Sequence, residues 1–199
     1  MKKILHIVSS INGNRSFSIE LGNAIIEKIK LQYPHGQVTE RNLVTEGFPH
    51  LDESTVNAFF TPQENRTAEH LEALKDSDAV IKELFEADIM VIGAPLYNFG
   101  IPSTLKAWLD HIARAGVTFS YDGSGPKGLV TGKKVYIAMA TGGIYSEGPM
   151  QAYDFVAPYL KTVLGFLGMH DVEIVRAEGT SLTGNKKEAL ERAMEALEA

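Results

Sequence analysis

Two apolar runs near the middle of this chain, Ile89-Met90-Val91-Ile92 and Val135-Tyr136-Ile137-Ala138, show no alternation with polar residues. A strand with one wet face alternates, so a strand that does not is covered on both faces. Such strands belong to a parallel sheet with helices above and below it, the α/β doubly wound class. The rest of the chain has the matching rhythm. Strand-like runs at Lys3 to Ser9, Val38 to Leu43, Ile89 to Ala94, Val135 to Ala140 and Val172 to Ala177 alternate with helix-like stretches. Five βα units in one domain over residues 1–199 are predicted. Of the two common doubly wound orders, five strands fit 2-1-3-4-5, in which a ligand sits beyond the carboxyl ends of strands one and three.

The helices have recognisable edges. Phe17, Leu21, Ile25 and Ile29 recur at intervals of four until Pro34-His35-Gly36. Thr61-Pro62-Gln63-Glu64 reads as a capping box opening a long helix that carries Leu71, Leu74, Ile81, Leu84 and Phe85 to about Glu86. A third helix follows Pro102, with Leu105, Trp108, Leu109 and Ile112 on one face. The fourth, from Pro149, is apolar around much of its girth, so one side is expected to meet a partner subunit as well as the sheet. A short last helix spans Lys186 to Leu197.

Composition narrows the chemistry. A net charge of −6 without a basic block argues against nucleic acid as the main partner. Zero cysteines exclude disulfides, thiolate zinc, iron–sulfur clusters and thiol nucleophiles, so redox chemistry would need a bound cofactor. The six histidines lack metal-ligand spacing, and no metal site is expected. Apolar runs are only of strand length and Met1-Lys2-Lys3 enters a strand directly, which predicts a cytoplasmic protein with no membrane span.

On the predicted order, the loops after strands one, three and four should be unusual, and they are. The first, Ser9-Ser10-Ile11-Asn12-Gly13-Asn14-Arg15-Ser16-Phe17-Ser18, sits between a strand and a helix. Helix-terminal N–H groups and the hydroxyls of Ser10, Ser16 and Ser18 suit a terminal monophosphate. It is neither a dinucleotide fingerprint nor a Walker loop, and a plain serine-rich N-cap is the alternative. The second, Pro95-Leu96-Tyr97-Asn98-Phe99-Gly100, offers apolar edges and backbone donors to a flat ring, or else plugs a core. In the third, Gly142-Gly143 after Thr141 permits close backbone approach, or is a flexible turn.

These loops, with Ala113-Arg114-Ala115-Gly116-Val117-Thr118-Phe119 and Gly128-Leu129-Val130-Thr131-Gly132-Lys133-Lys134, closely resemble the bacterial FMN-dependent NADH-azoreductases, also described as quinone reductases. The resemblance covers essentially the whole chain. It implies a flavodoxin-like fold and a homodimer with FMN sites at the interface. It also implies phosphate binding by Ser10, Ser16, Ser18 and the Phe17 backbone, and flavin contacts from Pro95, Leu96, Tyr97, Asn98, Phe99, Thr141, Gly142 and Gly143. The implied reaction is ping-pong. NADH or NADPH reduces the flavin and leaves, then a quinone or azo compound takes the same place. No side chain is expected to act as an obligatory nucleophile. The chain departs from the family at Ala140-Thr141, where Ser-Arg is common, and at Phe17, where Gln is common.

The glycine-rich stretch Gly116 to Lys133 reads as a lid bringing Phe119 and Tyr121 to an aromatic acceptor, or as a surface hairpin. Phe59 and Phe60 reach a neighbouring site across a dimer, or lie on a short helix packed on their own sheet. Asp110, His111 and Arg114 read as a solvated helix face. Two rival functions stay open: an FMN electron carrier or FMN-binding regulator without its own organic acceptor, and a phosphate-ester hydrolase. The hydrolase is disfavoured because Ser146 lacks the glycine of a nucleophile elbow and metal ligands are missing.

Overall fold

A computed structural model describes residues 1–123, 125–182 and 186–197. The chain runs β1 (Lys3–Val8), α1 (Phe17–Gln32), β2 (Gln37–Asn42), α2 (Glu53–Phe60), α3 (Ala68–Glu86), β3 (Ile89–Pro95) and α4 (Ser103–Ile112). It continues through β4 (Phe119–Asp122), β5 (Gly125–Gly128), β6 (Lys134–Ala140), α5 (Ala157–Phe166), β7 (Asp171–Ala177) and α6 (Lys186–Ala196). Five strands form one parallel sheet in the order β2-β1-β3-β6-β7, which is the predicted 2-1-3-4-5 once the β4–β5 hairpin is set aside.

Strand pleating sorts the core into two halves. Ile4 of β1, Val91 of β3, Ala138 of β6 and Val175 of β7 pack with Leu21, Ile25 and Ile29 of α1 and with Leu190 and Ala193 of α6. Their strand neighbours Leu5, Ile7, Met90, Ile92, Ile137 and Met139 pack with α3, α4 and α5. All seven residues of β3 are buried, which is why that run shows no alternation. Phe17 joins the cluster that contains Leu21, as its spacing predicts.

Two helix starts differ from expectation. Thr61 ends α2 instead of opening α3: its N–H donates to the Asn57 carbonyl at 3.1 Å. Pro62 and Arg66 are extended, so Thr61-Pro62-Gln63-Glu64 yields only the 3₁₀ turn Gln63–Asn65. The capping box lies six residues on, where Thr67 Oγ1 accepts from the His70 N–H at 3.4 Å and His70 Nδ1 accepts from the Thr67 N–H at 3.2 Å. Pro149 similarly opens only the 3₁₀ turn Gly148–Tyr153. The helix proper begins where Asp154 Oδ1 accepts from the N–H groups of Val156 and Ala157, each at 3.0 Å. Much of the apolar girth of α5 is absorbed internally, since Leu160 and Leu164 are fully buried and Tyr159, Val163 and Phe166 pack on the same core.

The glycine-rich stretch forms the β4–β5 hairpin. It is rooted where β6 begins, at the opposite end of the sheet from the carboxyl ends of β1 and β3. The Val130 N–H donates to the Leu167 carbonyl at 2.9 Å, and a Cβ placed on Gly128 would lie 2.2 Å from the Gly168 nitrogen. Backbone therefore rests directly on backbone at the hairpin's root.

Candidate functional site

The first, second and third loops leave β1, β3 and β6, three adjacent strands, at the same edge of the sheet. In the first loop, Ser9 Oγ donates to the Gly93 carbonyl at 2.6 Å, tying the end of β1 to β3. Ser10 Oγ and Tyr97 Oη lie 3.1 Å apart, so the first loop touches the second. The chain then turns through Gly13, at φ +51°, and the 3₁₀ turn Gly13–Arg15. Ser16 is the N-cap of α1, accepting from the Ile19 N–H at 3.3 Å. Its hydroxyl and that of Ser18 are 3.1 Å apart, and both residues are buried. Three neutral hydroxyls thus gather beside the positive end of a sixteen-residue helix. Within the Ser16–Ser18 pair one hydroxyl donates to the other and the second keeps its proton free, and Ser10 is free to donate where Tyr97 Oη donates to it, which fits the several oxygens of a phosphate monoester.

The second loop carries backbone strain. Asn98 and Phe99 have φ of +50° and +70°, and Tyr97 and Gly100 close the turn by exchanging two 3.0 Å hydrogen bonds. Two-residue turns with both φ positive favour Asn-Gly, so an aromatic in the second place is held at a cost of order 1 kcal/mol or more. The Phe99 ring leans on Tyr153, centroids 5.6 Å apart. Beside this turn an open groove of about 810 Å³ runs between Ile11, Tyr97, Ile101, Phe155 and Tyr159.

The third loop is sewn to the segment after β7. The N–H groups of Gly179, Thr180 and Ser181 donate to the carbonyls of Gly143, Thr141 and Gly142 at 3.0, 3.2 and 3.0 Å. A Cβ on Gly142 would meet Ser181 Oγ at 2.8 Å, and one on Gly143 would meet the Tyr145 ring at 3.3 Å. A side chain at the first of these positions would displace the Ser181 hydroxyl, so glycine keeps that hydroxyl packed against the turn. Glu178 accepts from the Tyr145 N–H at 2.9 Å and from Ser146 Oγ. Arg176 bridges Glu178 at 3.4 Å and Asp154 at 2.7 Å. The cation absent at Thr141 therefore has a counterpart one strand over, but its charge is already spent on two carboxylates.

Ser10, Ser16, Ser18, Tyr97, Asn98, Phe99, Thr141, Gly142 and Gly143 thus share one edge, with Pro95 and Leu96 leading into the turn and the Leu96 N–H bonded to the Ala140 carbonyl at 2.9 Å. The substrate candidates lie elsewhere on the same chain. Phe119 packs on Phe166 at 4.6 Å and Tyr121 at 5.7 Å, at the hairpin. Phe60 is 76% exposed at the end of α2, whereas Phe59 turns inward, 6.4 Å from the His111 ring and 5.2 Å from the Arg114 guanidinium.

Of the expected solvated face, only Asp110 is solvated, pairing with Lys106 one helical turn away. His111 and Arg114 are 1% and 4% exposed. Burial is compensated for Arg114 by Asp78, by Ser77 Oγ at 3.4 Å and by the Phe59 ring, a shell that helix periodicity alone does not reveal. His111 sits edge-on to Phe48 and Phe59, and burial lowers its pKa against the pull of Asp76 and Asp110. His6, inside β1, is likewise lowered by burial, which outweighs Glu40, 3.5 Å from its Nδ1. Ser9, Tyr145, Arg176 and Glu178 make contacts at this edge to which the sequence reading gives no role. The signal for Glu178 was available: a carboxylate directly after the apolar end of the fifth strand, on the ligand edge.

Among the described residues no group of three or more His, Asp or Glu gathers as a metal site, and no helix is long and apolar enough to cross a membrane. Comparison with known proteins gives a consistent set. The family described as Flavodoxin-like fold matches residues 2–199. A curated FMN-dependent NADH:quinone oxidoreductase of Herminiimonas arsenicoxydans is 53% identical over 182 residues, 92% of this chain and 89% of that protein. The crystal structure of an azoreductase from Bacillus anthracis superposes with a TM-score of 0.88 at 31% identity, covering 98% of each chain. A second B. anthracis structure, an FMN-dependent NADH-azoreductase in complex with FMN, gives a TM-score of 0.88 at 29% identity, covering 100% of this chain and 96% of that one.

Proposed function

The chain belongs to the flavodoxin-like fold family, and on that footing we propose that it is an FMN-dependent NADH:quinone oxidoreductase that also cleaves aromatic azo compounds. The observation that carries this reading is the convergence of three buried serine hydroxyls, a strained aromatic turn and a close-packed glycine pair at one sheet edge. The donor set fits FMN. Ser10, Ser16 and Ser18 with the first turn of α1 would hold the phosphate, and Tyr97, Asn98, Phe99 and the Thr141 to Gly143 backbone would hold the ring. When bound, FMN supplies the two-electron chemistry, taking hydride from NADH or NADPH and passing it to the acceptor. The residues orient and exclude water, and no side chain is assigned as nucleophile. Donor and acceptor use one place in turn, a ping-pong order, and an azo bond requires two rounds to give two amines.

The apolar groove beside the second loop, with exposed Ile11 and Phe155 at its rim, supports a homodimer in which a second copy covers it. In that assembly Phe60, Phe119 and Tyr121, remote from their own chain's loops, wall the partner's acceptor site. The domain comprises residues 1–199 and works in the cytoplasm.

The test uses the purified protein with added FMN. It turns yellow, bleaches under anaerobic NADH and regains its colour with 1,4-benzoquinone. A protein that takes up no FMN overturns the reading, and a yellow protein inert to NADH and NADPH is an electron carrier instead.

A further inference from the structure

Between the second and third loops runs a segment that belongs to neither, the 3₁₀ turn Gly148–Tyr153 and the residues leading into α5. It is pinned from both sides. On one side the Tyr153 ring lies 5.6 Å from the Phe99 ring, tilted by 40°. On the other, Asp154 Oδ2 accepts from Arg176 at 2.7 Å while its Oδ1 caps α5 through Val156 and Ala157. Asp154 is nearly buried, so this contact is shielded from solvent and worth more than a surface pair.

The two rings at the other end are not buried. Phe99 is 44% and Tyr153 48% exposed, although both are aromatic and in contact. Their open surfaces stand beside a turn whose left-handed geometry has been kept at an energetic cost. An uncharged aromatic pair complements a flat ring by tilted or offset contact, and it offers an anion nothing. The Arg176 guanidinium is held by Asp154 and Glu178.

Resting on the function proposed above, we propose that Tyr153 is an acceptor-specificity residue. With Phe99 it forms one wall of the place where a planar, neutral quinone lies, and Arg176 is the positioning residue that fixes this wall through Asp154. The wall contacts the outer part of the acceptor, so its loss is felt more by a two-ring acceptor than by a one-ring one.

The experiment compares FMN-loaded wild type with Tyr153→Ala, Tyr153→Phe, Arg176→Met and Arg176→Lys, measuring kcat and KM for 1,4-benzoquinone and 1,4-naphthoquinone and the dissociation constant of FMN. Tyr153→Ala is expected to shift the naphthoquinone-to-benzoquinone ratio of kcat/KM about fivefold towards the smaller acceptor, through KM, as the loss of one aromatic contact predicts. Tyr153→Phe keeps the wild-type ratio, because the ring and not the hydroxyl is invoked. Arg176→Met shifts the ratio in the same direction, and in the FMN-free protein speeds amide exchange at Val156 and Ala157. Arg176→Lys recovers part of both effects. An unchanged ratio in Tyr153→Ala overturns the proposal, as does a Tyr153→Ala protein that no longer retains FMN, since Tyr153 would then serve the cofactor. Failure of the underlying function is distinct, because it shows in the wild type, which would stay colourless or inert.

Discussion

Replacing Gly128 by alanine tests the root of the hairpin. The added Cβ would stand 2.2 Å from the Gly168 nitrogen, 2.3 Å from the Leu167 carbonyl carbon and 2.5 Å from the Gly168 Cα. All three are backbone atoms, so no rotamer change relieves the contact. The two segments must part by more than about 1 Å to reach ordinary van der Waals separation. Parting them strains or breaks the 2.9 Å bond from the Val130 N–H to the Leu167 carbonyl. Overpacking costs about 1–3 kcal/mol and the lost hydrogen bond about 1 kcal/mol. The reduced freedom of the unfolded chain returns about 0.4–1 kcal/mol. The net expectation is a destabilisation of about 1–3.5 kcal/mol. The chain's single tryptophan, Trp108, is fully buried and reports urea unfolding directly. Gly168→Ala provides the complement, because φ there is +104° and its Cβ would meet the Gly128 carbonyl carbon at 3.0 Å. Once either alanine has pushed the segments apart, the other has less to displace, so the double variant loses less than the sum of the two. Gly128→Ala stability within about 0.5 kcal/mol of wild type, outside the range expected for a backbone clash, would refute the packing described for this root.

Two further outcomes follow from the site and the core. Ser16→Ala removes both the N-cap of α1 and one phosphate donor, so it should cost about 1 kcal/mol in urea unfolding and weaken FMN binding about tenfold or more, read by flavin fluorescence quenching; unchanged FMN affinity would remove Ser16 from the phosphate site. His6 and His111 are both held neutral by burial, with pKa values below the free value of 6.5. The unfolded chain therefore takes up protons first as pH falls, so the stability these rings contribute is complete above pH 6.5 and declines below it. Urea unfolding at pH 7.5 and 5.5 should show that loss, and His6→Asn should show less of it; an equal loss in that variant would absolve His6.

What could be read from the sequence follows the range of the interactions involved. The parallel, doubly wound sheet is legible because β3 and β6 are covered on both faces, and burial on two faces leaves an unbroken apolar run; the order then follows from the count of five strands. Ser10, Ser16 and Ser18 were legible because a strand, a short loop and a helix cap are close in sequence. The start of α3 is ambiguous in the sequence because Thr61-Pro62-Gln63-Glu64 and Thr67 with His70 both carry capping chemistry, and only the extended backbone at Arg66 decides between them. The burial of Arg114 is invisible in the local pattern because its partners Asp78 and Phe59 come from two other helices. Arg176 and Asp154 are 22 residues apart and belong to different elements, so nothing in the local pattern pairs them.

The stitching between the Thr141 to Gly143 turn and residues 179–181 has a consequence for how this chain can change over time. A stretch just past the last sheet strand would ordinarily tolerate drift in length, since little downstream depends on it. Here each amide from 179 to 181 is matched to a particular carbonyl across the gap, so a one-residue insertion would slide the whole set out of step. Lineages and engineers alike are freer to lengthen the tip of β4–β5 than to touch this seam.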